Sequence, residues 1–242
     1  MSSEPEVARL NRSLRALLER DGHDSSPGAG RLALVLARAG TGKTAFLTTI
    51  GLDAIFAGKK VLHIDIDTTV DKVRTWYDDI LAELIKRGDV TGDKLALQLF
   101  SERSRHIHTY NHHSFGVGKL NETLQLMDSI MHFDPNVIVV DGLDLERTPV
   151  QTISQLRELA QSANAELWIS CRVRREAPPT RPGHLPPPAD QFEALADLAF
   201  MLEHEGARIR LHVLKEHEQI GDKDTHLLLD PQTLLMVEES AH

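Results

Sequence analysis

Apolar positions in this chain follow two rhythms. Glu4 to Arg20 places Val7, Leu10, Leu14, Leu17 and Leu18 at helical spacing, with Arg and Glu on the other side, which predicts an amphipathic helix over residues 1–20. That helix either packs on its own domain or serves as an arm for a neighbouring subunit. Residues 21–30, rich in Gly, Ser and Asp, predict a flexible linker. From Arg31 onward, short apolar runs alternate with helical patterns. Strands are predicted at Leu32–Leu36, Val61–Asp67, His106–Tyr110, Val137–Asp141 and Glu166–Cys171. Helices are predicted from the 40s to Ala57, over 70–87, over 119–131 and over 149–163, with Gly58 and Gly88 as stops. Residues 172–190, with six prolines, predict a loop, and residues 199–237 read as β-rich.

Strand and helix in alternation is the signature of a mostly parallel sheet with crossover helices, an α/β domain over residues 31–237 followed by a short tail at 238–242. At 242 residues, 41% hydrophobic and 26% charged, the chain has the composition of one globular domain. No apolar run reaches the roughly 18 residues of a membrane span, and the acidic start Met1-Ser2-Ser3-Glu4-Pro5-Glu6 is unlike a signal peptide. A single cysteine, Cys171, excludes an internal disulfide, so a cytoplasmic location is expected. A net charge of −9 argues against wholesale binding to nucleic acid or anionic lipid and leaves room for a local basic patch.

The chemistry begins at Ala37-Arg38-Ala39-Gly40-Thr41-Gly42-Lys43-Thr44-Ala45, directly after the first strand and opening the first long helix. Gly40 and Gly42 can take backbone angles closed to other residues, so successive amides can converge on a phosphate, and the helix start adds unpaired N–H groups. Lys43 would reach the β- and γ-phosphates, and the Thr44 hydroxyl would hold Mg²⁺. This is a P-loop whose first glycine is replaced by Ala37. A buried strand ending in Asp141, about 100 residues on, supplies a carboxylate to orient water on that Mg²⁺. Asp65 and Asp67, expected on one face at the end of a strand beside the P-loop strand, are the candidates for the base that activates water, with Asp67 favoured.

These residues resemble the RecA-like P-loop ATPases, in particular the branch containing KaiC, RadA and the replicative helicase DnaB. The resemblance spans about Gly30 to Val237. Val61-Leu62-His63-Ile64-Asp65-Ile66-Asp67 is similar to the family strand that ends in the water-activating Glu, which puts Asp67 at that position. Lys215-Glu216-His217 ahead of Asp230-Pro231-Gln232-Thr233 resembles the family's Lys-x-Arg and D-P-x-T elements, which reach the γ-phosphate of the neighbouring subunit. Asp197 to Leu202 is similar to a further family strand, and Ser170 or Cys171 falls where a polar sensor ends the preceding one. The resemblance implies ATP and Mg²⁺ as ligands, a homo-oligomer (hexamer or filament) with sites completed in trans, and a β extension at the C-terminal end of the sheet. Departures cluster at the nucleotide: Ala37 for Gly, Asp67 for Glu, His217 for Arg. A base one methylene short and a partly charged His in place of Arg imply nucleotide binding with slow turnover.

The expected function is therefore a slow ATPase of the KaiC-like regulatory or scaffolding type, working with protein partners; the alternative is a helicase or recombinase subunit. The alternative draws on Arg172, Arg174, Arg175 and Arg181, which could contact single-stranded DNA, although no aromatic residue lies between them to stack bases. Asp222-Lys223-Asp224 is a poor match to the guanine-reading element of GTPases, and the chain closes with strands instead of a kinase lid. The histidines at 106, 108, 112 and 113 allow a metal reading that no nearby Cys or spaced carboxylate completes. Trp76, Tyr77 and Trp168 read as core or subunit-contact residues.

Overall fold

The computed structural model of the chain describes residue 10, residues 12–174, residue 181 and residues 183–239. Val7, Arg175 and the tail beyond 239 lie outside the described residues.

Six consecutive buried residues, Leu32–Ala37, form β1. Apolar on both sides, this strand belongs in the middle of a sheet covered on both faces. The strands β2 (Val61–Ile66), β3 (Arg105–Tyr110), β4 (Val137–Asp141), β5 (Glu166–Arg172), β6 (Ala196–Glu205), β7 (Arg208–Glu216), β8 (Gln219–Leu229) and β9 (Met236–Glu238) complete a nine-stranded sheet. Their order is β3-β2-β4-β5-β1-β6-β7-β8-β9. The pairings from β3 through β6 are parallel; those from β6 through β9 are antiparallel, forming the expected C-terminal β extension. The architecture is α/β with a mostly parallel sheet.

Among the described residues six α-helices accompany the sheet: α1 (Leu14–Arg20), α2 (Lys43–Phe56), α3 (Val70–Lys86), α4 (Lys94–Arg103), α5 (Val117–Leu126) and α6 (Val150–Ser162). One core joins α1 to α4 with the face of the sheet that carries Val35, Val139 and Trp168. A second core joins α5 and α6 with the opposite face, where Leu34, Ile64, Val140 and Ile169 lie. α2 is buried along nearly all its length, and no residue of its first two turns after Thr44 carries a charge. Among the described residues no helix is long and apolar enough to cross a membrane.

Several boundaries differ from the sequence reading. α4 was not expected; its signal is Asp93, whose side chain accepts from Ala96 N–H at 2.9 Å and starts a helix with only Leu97 and Ser101 buried. The helix expected over 119–131 ends at Leu126 and continues as one π-helical turn, Met127–Met131. β2 does not lie beside β1, because β4 and β5 intervene.

α1 packs on its own domain. Leu14, Leu17 and Leu18 enter the first core, and Arg15 donates to buried Glu166, with the closer contact 2.6 Å. Lys59 also donates to Glu166, at 3.0 Å, and Arg15 lies over the Trp168 ring. The segment 21–30, expected as a flexible linker, is held down: Asp21 accepts from His226 N–H, and Asp24 N–H donates to Glu216.

Burial pulls the Glu166 carboxyl upward, but the charges of Arg15 and Lys59 outweigh it and hold it at about 2. A carboxyl depressed in the folded state stabilises above its unfolded value and loses that contribution as pH falls from about 4.5 to about 2. Glu166→Gln should therefore destabilise the protein by about 3–5 kcal/mol at pH 7, because Arg15 keeps a buried, unpaired charge. Urea midpoints for the two proteins should converge between pH 4.5 and pH 2; a gap unchanged at low pH would refute the pairing.

Candidate functional site

β1 ends at Ala37, and the loop 38–42 passes the chain to α2. Gly40 has φ of 77° and Gly42, the residue capping α2, has φ of 90°. Both are left-handed, so the loop needs glycine there. Ala37 is an ordinary strand residue, paired with Arg172 and Leu202, and takes no left-handed angle. That is why the missing first glycine leaves the loop intact.

Lys43 folds back over the loop and donates to the carbonyls of Ala37 and Arg38, each at 3.1 Å. Burial lowers its pKa, against the opposing pull of Asp141. Thr44 Oγ1 donates to Asp141 Oδ2 at 2.6 Å, joining the head of α2 to the tip of β4. Thr41 Oγ1 is buried without a hydrogen-bond partner. Gly142, φ 85°, follows Asp141; its N–H is held by Ser170 Oγ at 3.0 Å, and an added Cβ would lie 2.7 Å from the Ile66 carbonyl. The tips of β2, β4 and β5 are thus drawn together above the loop.

A cleft of about 410 Å³ opens there, its lining including Lys43, His112, Asp141, Ser170, Arg172 and Arg174. Arg174 pairs with Glu146. Of the four arginines considered for DNA, Arg172 and Arg174 line this cleft, Arg181 is exposed, and Arg175 is outside the described residues. Cys171 points into the opposite core, where burial pushes its thiol up to about 12, so the cleft-facing candidate at the end of β5 is Ser170.

The two acidic candidates on β2 separate. Asp65 is buried and stands directly opposite Asp141 in register. Burial, then the Asp141 charge, raises its pKa to about 7. Asp67 lies past the end of β2 with φ of 65°, so strand alternation does not carry to it. It accepts from His112 N–H at 3.0 Å, and its other carboxylate oxygen lies against His112 Nε2. Asp67 therefore meets the cleft only through His112, a lining residue that sequence reasoning placed only in a histidine cluster.

Lys215 and His217 lie far from the loop. Register from β1 through β6 to β7 sets Lys215 level with Leu34, and its buried ammonium donates to the Glu193 carbonyl. His217, φ 51°, pairs with Asp24 and Arg31 near the start of β1. Neither reaches the loop within one chain. Two other histidines of the 106–113 stretch pack on aromatic rings, His106 on Phe133 and His108 on Tyr110, and His113 is exposed. Among the described residues they join no convergent donor group; those groups are His63 with Asp65 and Asp141, and His212 with Asp222 and Asp224.

No protein-family model matches the chain, and no characterised protein matches it in sequence.

A Cβ on Gly42 would sit 2.3 Å from Leu229 Cδ2, whereas one on Gly40 meets nothing within 4 Å. Both substitutions carry the left-handed penalty of about 1–2 kcal/mol. Gly42→Ala should be the more destabilising of the two in thermal melts. Equal losses would mean that Leu229 yields freely and the cost is backbone alone.

Proposed function

We propose that this protein binds ATP with Mg²⁺ at the loop between β1 and α2 and hydrolyses it slowly, as a RecA-like ATPase of the regulatory or scaffolding, KaiC-like type. One observation carries the reading: Lys43 caps loop carbonyls while Thr44 and Asp141 share a hydrogen bond beneath two left-handed glycines. That arrangement is a phosphate cradle whose cation is held by its own loop. A phosphate would draw the Lys43 ammonium from carbonyls that offer it only partial charge.

Hydroxyl and carboxylate oxygens are the donors Mg²⁺ prefers, so Thr44 and Asp141 fit it. When bound, Mg²⁺ would neutralise charge on the β- and γ-phosphates. The protein's own groups do the rest. Loop amides and the start of α2 orient the phosphates, Lys43 neutralises the γ end, and Arg172 adds a second positive charge from the cleft wall. His112, held by Asp67, polarises the attacking water. A smaller cleft of about 270 Å³, whose lining includes Leu229 beside Gly42 together with Arg208, Asp230, Pro231, Glu238 and Glu239, offers a place for the nucleoside.

His217 and Lys215 belong to the reading only across a subunit boundary, in a ring or filament, where Lys215 must first leave the Glu193 carbonyl. ATP, more than ADP, should then favour assembly.

The test is Mg-dependent ATP binding and turnover with and without single-stranded DNA. Lys43→Ala should abolish nucleotide affinity. Asp67→Ala should keep affinity and lose turnover by about 10²-fold or more, as removal of a proton-handling group does. Wild-type protein that binds no ATP at near-millimolar concentration would overturn the reading, and strong stimulation by DNA would move it to a DNA motor.

A further inference from the structure

Below the phosphate loop, on the face of the sheet covered by α2 and α3, three donors converge. His63 and Asp65 alternate onto that face of β2, and Asp141 stands opposite Asp65 on β4. One donor atom from each of the three residues lies within 4.8 Å of the others, and all three residues are buried. Donors bound at about 2.0–2.2 Å to one ion lie about 3–4 Å apart, so small side-chain adjustments close the set.

The independent observation is the imidazole. His63 is fully buried, and its Nδ1 is 3.0 Å from Tyr77 Oη. Its Nε2 has no hydrogen-bond partner among the described residues. In the tautomer in which Nδ1–H donates to the phenol oxygen, the Nε2 lone pair is free, which is how a metal-binding histidine is prepared. Tyr77 is itself fixed, with the Arg105 guanidinium 4.7 Å from its ring and Gly51 leaving room for its hydroxyl; a Cβ there would lie 2.4 Å from Oη. One helical turn past Thr44, Thr48 Oγ1 is a second buried group without a partner. Two buried carboxylates beside an imidazole repel one another unless a proton or a cation lies between them.

We propose that His63, Asp65 and Asp141 form a binding site for a first-row transition-metal dication that is occupied without nucleotide. The nitrogen donor selects this class over Mg²⁺, which prefers oxygen alone. The site shares Asp141 with the proposed nucleotide site but does not depend on it, since none of its three donors belongs to the loop. Asp141 links the two: an ion held on its carboxylate competes with Thr44 for the same group, so metal occupancy and Mg-ATP affinity should be coupled, each altering the other by the same factor.

The test uses the full-length, untagged chain, stripped with chelator and titrated with Co²⁺ in the absence of nucleotide. Visible absorption from a buried Co²⁺ site should saturate at one equivalent. His63→Gln and Asp65→Asn should each remove that band, and Tyr77→Phe should weaken Co²⁺ binding about 10–100-fold. If His63→Gln loses its far-ultraviolet circular dichroism, Asp65→Asn decides. His212→Ala, which disables the exposed His212, Asp222 and Asp224 group, should leave the band unchanged. No saturable band in the wild type, a band that survives His63→Gln or Asp65→Asn, or a band lost in His212→Ala would overturn the proposal. ATP binding measured on metal-free protein separates the two readings. ATP binding lost with the Co²⁺ band intact refutes the nucleotide site alone, and the converse refutes the metal site alone.

Discussion

The hydrogen bond from Thr44 to Asp141 ties the first turn of α2 to a strand two places away in the sheet. β5 lies between β1 and β4, so this bond reaches across a strand that contributes nothing to it directly. Its length is 2.6 Å. Around it the strand tips must fit: Ser170 holds the residue after Asp141, and Gly142 passes the Ile66 carbonyl at a distance that no side chain tolerates. The cleft is the space left above that junction, and loss of any of these groups would let the tips separate.

Beneath the junction the molecule carries an unusual density of buried charge. Asp65, Asp141 and His63 lie on one face of two neighbouring strands, and Glu166 is buried further along the same face with Arg15 and Lys59. The second cluster is closed, every carboxylate oxygen meeting a cation or the Trp168 N–H. The first is open, with a free imidazole nitrogen and a carboxyl raised to about 7. A buried cluster left open is costly for folding, and the proposed cation would close this one.

Much of the fold was legible because burial and periodicity coincide. Leu32–Leu36 and Val137–Val140 are apolar on every residue, as central parallel strands must be. α4 escaped because it buries so little; Leu95 and Leu99 remain exposed, and its only firm sequence mark is the capping Asp93. Strand order was illegible for a different reason. Nothing in β2 records that β4 inserts between it and β5, since neighbours in a parallel sheet are chosen by crossover geometry and not by any pairwise code. The loop residues 37–44 could be read one by one, but the role of His63 could not. In sequence it is one polar residue within an apolar strand, and only the approach of Tyr77 and Asp141, 14 and 78 positions away by residue number, turns it into a donor.

The separation of Asp65 from Asp67 carries the most functional weight. An ideal strand would place both carboxylates on one face, competing for one role. A single left-handed residue at Asp67 ends the strand one position early and turns its carboxylate toward the 110–113 loop, where His112 takes it up. Asp65 stays below, facing Asp141. Two acids two residues apart thus serve two neighbourhoods, one solvated at the mouth of the cleft and one dry beneath it. In the proposed reaction a water at the mouth is handled by an imidazole backed by a carboxylate, in place of a carboxylate acting directly. Inserting a ring between the acid and the water makes the geometry depend on a half-exposed side chain in a loop, which is a physical reason for slow turnover independent of the length of any one side chain.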